Sequence, residues 1–181
     1  GFGGQYGVCT KNDRGQWQHA INGGINYLAK FNSLDVALYG GFMTAGAENN
    51  LSASGYDVNR RWWDWLTGAQ LTYQGFSVGG YVGRDNNGLI SGNQTWIYSL
   101  GATYTTGPWQ IGAGWRRFIR HEDSNSIATG IASGVAGNDK YDYYEAGVNY
   151  KLSPGITLVG GLNWNTGHGQ RADERIDSWQ V

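Results

Sequence analysis

Residues 96–115 read Trp96-Ile-Tyr-Ser-Leu-Gly-Ala-Thr-Tyr-Thr-Thr-Gly-Pro-Trp-Gln-Ile-Gly-Ala-Gly-Trp115. Before Thr106-Gly107-Pro108 the even positions are Trp96, Tyr98, Leu100, Ala102 and Tyr104. After it the odd positions are Trp109, Ile111, Ala113 and Trp115, while the intervening residues are mostly small or polar. A period of two places each set on one face of a strand, and Gly-Pro marks a tight turn. The stretch is a β-hairpin with one apolar face.

The same period extends outward in both directions. One face carries Ile21, Ile25, Tyr27 and Phe31, then Leu34, Val36, Leu38 and Phe42, then Trp63, Trp65, Leu71 and Tyr73, then Phe76, Val78 and Val82. Downstream it carries Tyr144, Ala146, Val148, Tyr150 and Leu152, then Ile156, Leu158, Leu162 and Trp164. Helical spacing is absent. Eight strands are expected, at about 17–31, 34–45, 62–74, 76–84, 95–105, 109–120, 142–152 and 156–166. Their apolar faces hold no charged residue. The opposite faces carry Lys30, Asp64, Arg116, Arg120, Glu145 and Lys151 among many Gly, Ser, Thr, Asn and Gln, including Gln70 and Asn149.

Connections alternate in length. Short turns fall at Asn32-Ser33, Gln74-Gly75, Thr106-Gly107-Pro108 and Ser153-Pro154-Gly155, and both prolines sit in them, where a missing N–H costs no ladder bond. Long polar connections are expected at about 45–61, 85–94, 121–141 and 166–177. The fold class is therefore all-β, an antiparallel up-and-down sheet in one unit covering residues 1–181.

Composition narrows the class further. The 181 residues include 31 Gly, 9 Trp, 12 Tyr and 5 Phe at net charge −1. That aromatic content excludes a disordered chain, and near-neutral charge without a basic run argues against nucleic acid as a partner. One cysteine, Cys9, excludes a disulfide framework. No apolar run reaches the ~18 residues of a transmembrane helix, which leaves membrane strands open, since these show only alternation.

Aromatic placement points to lipid as the medium of the apolar face. Phe31, Tyr73, Phe76, Tyr104, Trp109 and Tyr150 flank the short turns, and Trp63, Trp65, Trp96, Trp115, Tyr144 and Trp164 flank the long loops. Strand centres are aliphatic or Gly. A soluble core would place its largest side chains centrally; two aromatic girdles around an aliphatic band suit a bilayer. Trp63 to Tyr73 spans roughly 33 Å of strand, which at a ~40° tilt projects to about 25 Å, the height of an outer-membrane apolar band.

Leu100-Gly-Ala-Thr-Tyr-Thr-Thr-Gly-Pro-Trp-Gln-Ile-Gly-Ala-Gly-Trp115 and Tyr144-Glu-Ala-Gly-Val-Asn-Tyr-Lys-Leu-Ser-Pro-Gly-Ile-Thr-Leu158 resemble hairpins of Gram-negative general porins, the alphaproteobacterial group in particular. The resemblance covers essentially residues 17–166. It implies a sixteen-stranded, homotrimeric barrel in the bacterial outer membrane, in contact with lipid and lipopolysaccharide, that passes small hydrophilic solutes and ions. The chain shows half that strand number and ends at Trp179-Gln180-Val181, a segment that could start a ninth strand. The first short turn would put both termini at the long-loop end, so residues 1–181 are expected to be the middle of a barrel, roughly its seventh to fourteenth strands.

Candidate functional residues follow from phase. Arg116 and Arg120 point to the polar face and could form a basic wall at a constriction; the bland alternative pairs them with wall carboxylates. Arg117 lies outward, beyond Trp115. Glu145 and Asp64 are inward carboxylates, and Lys30 and Lys151 lie near the short-turn mouth. A closed barrel serving as anchor or adhesin is one alternative function. A Trp- and Tyr-rich jelly-roll glycosidase is another, but it needs two strand-borne glutamates, and Glu48, Glu122 and Glu174 fall in expected loops. No enzymatic activity is expected. His19, His121 and His168 lack metal-ligand spacing, and Asp57, Asp85, Asp123, Asp139 and Asp173 read better as solvated loop acids than as calcium ligands. Gly1-Phe-Gly-Gly-Gln-Tyr-Gly7 neither follows a strand nor opens a helix, so no phosphate loop is expected there. No metal or cofactor is expected.

Overall fold

The protein is described by a computed structural model covering residues 17–47, 61–86, 94–122, 137–169 and 175–180. Cys9, the Gly1–Gly7 segment, Glu48, Asp57, Asp123, Asp173 and Glu174 lie outside the described residues.

Among the described residues nine strands form one sheet whose spatial order follows the chain. They are β1 (Trp17–Phe31), β2 (Leu34–Ala47), β3 (Arg61–Tyr73), β4 (Phe76–Asp85), β5 (Gln94–Thr106), β6 (Trp109–Glu122), β7 (Gly137–Ser153), β8 (Ile156–His168) and β9 (Arg175–Gln180). Every neighbouring pair is antiparallel. β1 and β9 are the sheet edges.

The tight turns fix register. Gln74 and Gly75 both have positive φ, 46° and 84°, the combination that matches the twist of a two-residue hairpin, and Tyr73 pairs directly with Phe76. Gly107 precedes Pro108 at φ 55°, and Gly155 follows Pro154 at φ 86°. Neighbouring hairpins are tied at these turns: the Thr105 N–H donates to the Gly75 carbonyl at 2.8 Å, and the Lys151 N–H to that of Pro108 at 2.9 Å.

Strands run further toward the long connections than alternation indicates. β7 begins at Gly137 rather than near 142, β2 reaches Ala47, β6 reaches Glu122, and residues 175–180 add β9 on the edge of β8. The cause is that ladder pairing continues beyond the apolar band, where both faces meet polar surroundings and the period-two signal fades. Asp85 and Asp139 are consequently strand residues, at the end of β4 and within β7, and not loop acids. His19, at φ 53°, sits where the β1–β2 register shifts.

Neither face of the sheet covers a dry core. Among the described residues Ala45 is the only buried hydrophobic, whereas Ile25 is 74% exposed and Leu162 54% exposed. Leaving so much apolar surface in water would forfeit the main driving force for folding. Lipid contact supplies it.

Candidate functional site

The polar face is concave. A trough of about 730 Å³ crosses it from Tyr39 on β2 to Gln180 on β9, lined by polar side chains such as Gln70, Ser99, Gln110, Asn149 and Asn163. Gly79, Gly101, Gly112, Gly147 and Gly161 floor it, so the wall is low where side chains would otherwise project. Asn149 donates its amide N–H to the Gln110 side-chain oxygen at 3.0 Å, and Gln70 donates to Thr72 at 3.4 Å.

Charges lie in rows across the strands. Asp64 faces Asp85, Asp85 faces Thr95, Thr95 faces Arg120, and Arg120 faces Asp139. Trp62 donates its indole N–H to Asp85 Oδ1 at 2.7 Å. Arg116 lies four residues from Arg120 on the same face, between Ser99 and Tyr143. It is exposed and forms no ion pair among the described residues. Glu145 occupies the next row, opposite Gly114, and does not bridge to Arg116. Lys30 pairs with Asp35 at 3.2 Å with both side chains more than half exposed, a contact worth little. Lys151 faces Thr157 at the same mouth. The sheet thus gathers Asp64, Asp85 and Arg120 into one row and keeps Glu145, Lys30 and Lys151 away from it.

The convex face bears the aromatics in contact across strands. Phe76 stacks on Tyr104 with centroids 4.1 Å apart, and Trp109 meets Tyr150 at 4.4 Å, all near the short turns. Toward the long connections Trp65 meets Trp96 edge-on at 5.9 Å, and Tyr144 stacks on Trp164 at 5.2 Å. Phe31 and Tyr73 flank Leu34.

Arg84 and Arg117 are among the arginines whose strand phase is outward at this end. Arg117 binds Asp142 through Nε–Oδ1 at 2.8 Å and Nη2–Oδ2 at 2.9 Å, and Trp115 donates to the same carboxylate at 2.8 Å. Arg84 sits 5.4 Å from the Trp63 ring centre and 5.2 Å from that of Trp96, and donates to the Gln94 side-chain oxygen. Stacking on indoles and a bidentate carboxylate both suit an interfacial guanidinium.

Alternation alone did not reveal Arg84, Asp85, Trp62 or Trp179, which faces Trp164 on β9 and is 76% exposed. Arg84, Asp85 and Trp62 lie past the last clear apolar repeat of their strands, and Trp179 lies on a strand too short to show one. The signal available was residue type, Trp and Arg clustering beside the long connections.

A family model described as Gram-negative porin matches residues 1–170. A search of curated proteins finds no match. The family match is to Gram-negative porins as a whole and does not reach the alphaproteobacterial group.

Proposed function

The chain belongs to the Gram-negative porins, channel proteins of the bacterial outer membrane, and we propose that its concave face is the wall of the water-filled path taken by small hydrophilic solutes and ions. One observation carries this reading. The face opposite the aromatic girdles is concave, floored with glycine and lined with amides and hydroxyls. Such a surface solvates a passing solute without holding it. No catalytic role is assigned to any residue.

Arg116 and Arg120 are proposed to set ion preference. They stand about 13 Å apart along one strand, and a low-dielectric wall leaves their field less screened in a narrow channel than at an open surface. Asp85 opposes them from two strands away and Asp64 from three, so a dipolar solute crossing this row is turned as it passes. Lys30, Lys151, Gln70 and Asn149 line the path without constricting it.

Unpaired strand edges are not tolerated in a bilayer. Further strands are therefore proposed to close the sheet beyond β1 and β9 into a sixteen-stranded barrel, with three such barrels assembling as a homotrimer.

Planar-bilayer recording with Arg116→Ala and Arg120→Ala combined tests the role of the arginines. Conductance should rise and the reversal potential should move toward cation selectivity. Unchanged conductance and ion preference would remove both arginines from the narrow part of the path.

A further inference from the structure

The concave wall is not uniformly polar. One row of the sheet reads Leu66, Gly83, Ile97, Phe118 and Tyr141, each facing the next across β3 to β7. Inward phase puts all five on the concave face, between the row of Asp64, Asp85 and Arg120 and the row of Ser99, Arg116 and Tyr143. Leu66, Ile97 and Phe118 are half-buried rather than covered. Leu66 leans over Gly83, whose added β-carbon would touch its Cβ and Cδ1 at 3.5 Å. The Phe118 ring meets Tyr143 edge-on with centroids 5.5 Å apart, and Tyr143 is 41% exposed. A wall serving only to solvate ions has no use for this band, because apolar surface facing water lowers the local solvation of a charge.

Arg116 gives the band its sign. It lies two residues from Phe118 on the same strand face, roughly 7 Å away, and stands opposite Tyr143. It is exposed and unpaired among the described residues. A free guanidinium beside an aromatic and aliphatic surface complements a small organic anion whose carboxylate is attached directly to an apolar body.

We propose that Ile97, Phe118, Tyr143 and Arg116 form a weak binding step for amphiphilic monocarboxylates, aromatic acids above all, on the pore wall. The proposal rests on the porin reading and names a solute class for the same path. The carboxylate sits on Arg116 while the ring lies against Phe118 and Ile97. A neutral ring lacks the first contact and a short aliphatic acid lacks the second.

The test is chloride current through the reconstituted channel in the presence of benzoate, acetate or benzyl alcohol. Benzoate should interrupt the current at a concentration at least tenfold below that of acetate, and benzyl alcohol should not interrupt it. The benzoate-to-acetate ratio is then measured in Phe118→Ser and in Ile97→Ser, so that a change in basal conductance cancels. Both ratios should fall toward one, while Arg116→Gln weakens both acids together. Equal potency of the two acids in the unmodified channel, or an unchanged ratio in both serine variants, overturns the proposal and leaves the porin reading standing. A reconstituted protein that passes no chloride overturns both.

Discussion

The Glu145 carboxylate folds back over Gly114, its direct partner across β6 and β7, so that a β-carbon on the glycine would meet Oε1 at 2.8 Å. The acid lies along the wall of the trough, in the space left by the missing side chain opposite. Gly114→Val should push it into the path, lower conductance and shift permeability toward cations, read as reversal potential in a salt gradient. Gly101→Ala is the control, since its added carbon comes no nearer than 3.5 Å to any neighbour; its permeability ratio should not change.

Gln74 holds φ 46° without being glycine, a strain of roughly 1–2 kcal/mol for a residue with a side chain. Gln74→Gly should therefore raise resistance to urea unfolding in vesicles by about 1 kcal/mol. Gly75→Ala should do the reverse, because φ is 84° and the new carbon would run into the Thr105 carbonyl.

Ile111 and Gln110 are neighbours on opposite faces of β6. Ile111→Arg places a charge in the apolar band and should cost about 2–4 kcal/mol in unfolding from a bilayer. Gln110→Arg faces the water-filled side and should stay within about 0.5 kcal/mol.

Arg117 and Asp142 form the outward ion pair, with side-chain exposures of 38% and 10%. A double-mutant cycle with Arg117→Gln and Asp142→Asn should give a coupling of about 1 kcal/mol, the upper range for a partly exposed pair. Arg117→Gln should be the more damaging single change, since it leaves the nearly buried Asp142 carboxylate without its cation, whereas Asp142→Asn leaves a half-exposed guanidinium still stacked on Trp115.

Much of this was legible in the sequence because the bilayer enforces a strict period. Trp96 to Trp115 shows both the alternation and the turn, and a two-residue turn such as Gln74-Gly75 fixes the pairing of Tyr73 with Phe76 by counting. The pairing of Asp85 with Thr95, and hence the row that joins Asp64 to Arg120, cannot be counted in that way. It depends on the offset between β4 and β5 across a long connection, which no local turn chemistry sets. The overhang of β7 beyond Asp142 and the start of β9 at Arg175, ahead of the Trp179 segment, were hidden for a second reason. Past the girdles both faces are polar, so pairing continues without a hydrophobic signature. The inward band through Phe118 lies on the face expected to be polar, and only its assembly across separate strands makes it contiguous.

The assignment of lipid to one face and water to the other is tested most directly at Val148 and Asn149. Single cysteines at these positions, in a Cys9→Ser background, are exposed in outer-membrane vesicles to a charged, membrane-impermeant thiol reagent. A nitroxide at each site is then tested for relaxation by oxygen. The cysteine at 149 should react and the one at 148 should not, and the label at 148 should relax more strongly with oxygen. Rapid reaction at 148 together with protection at 149 would invert the faces and contradict the channel account.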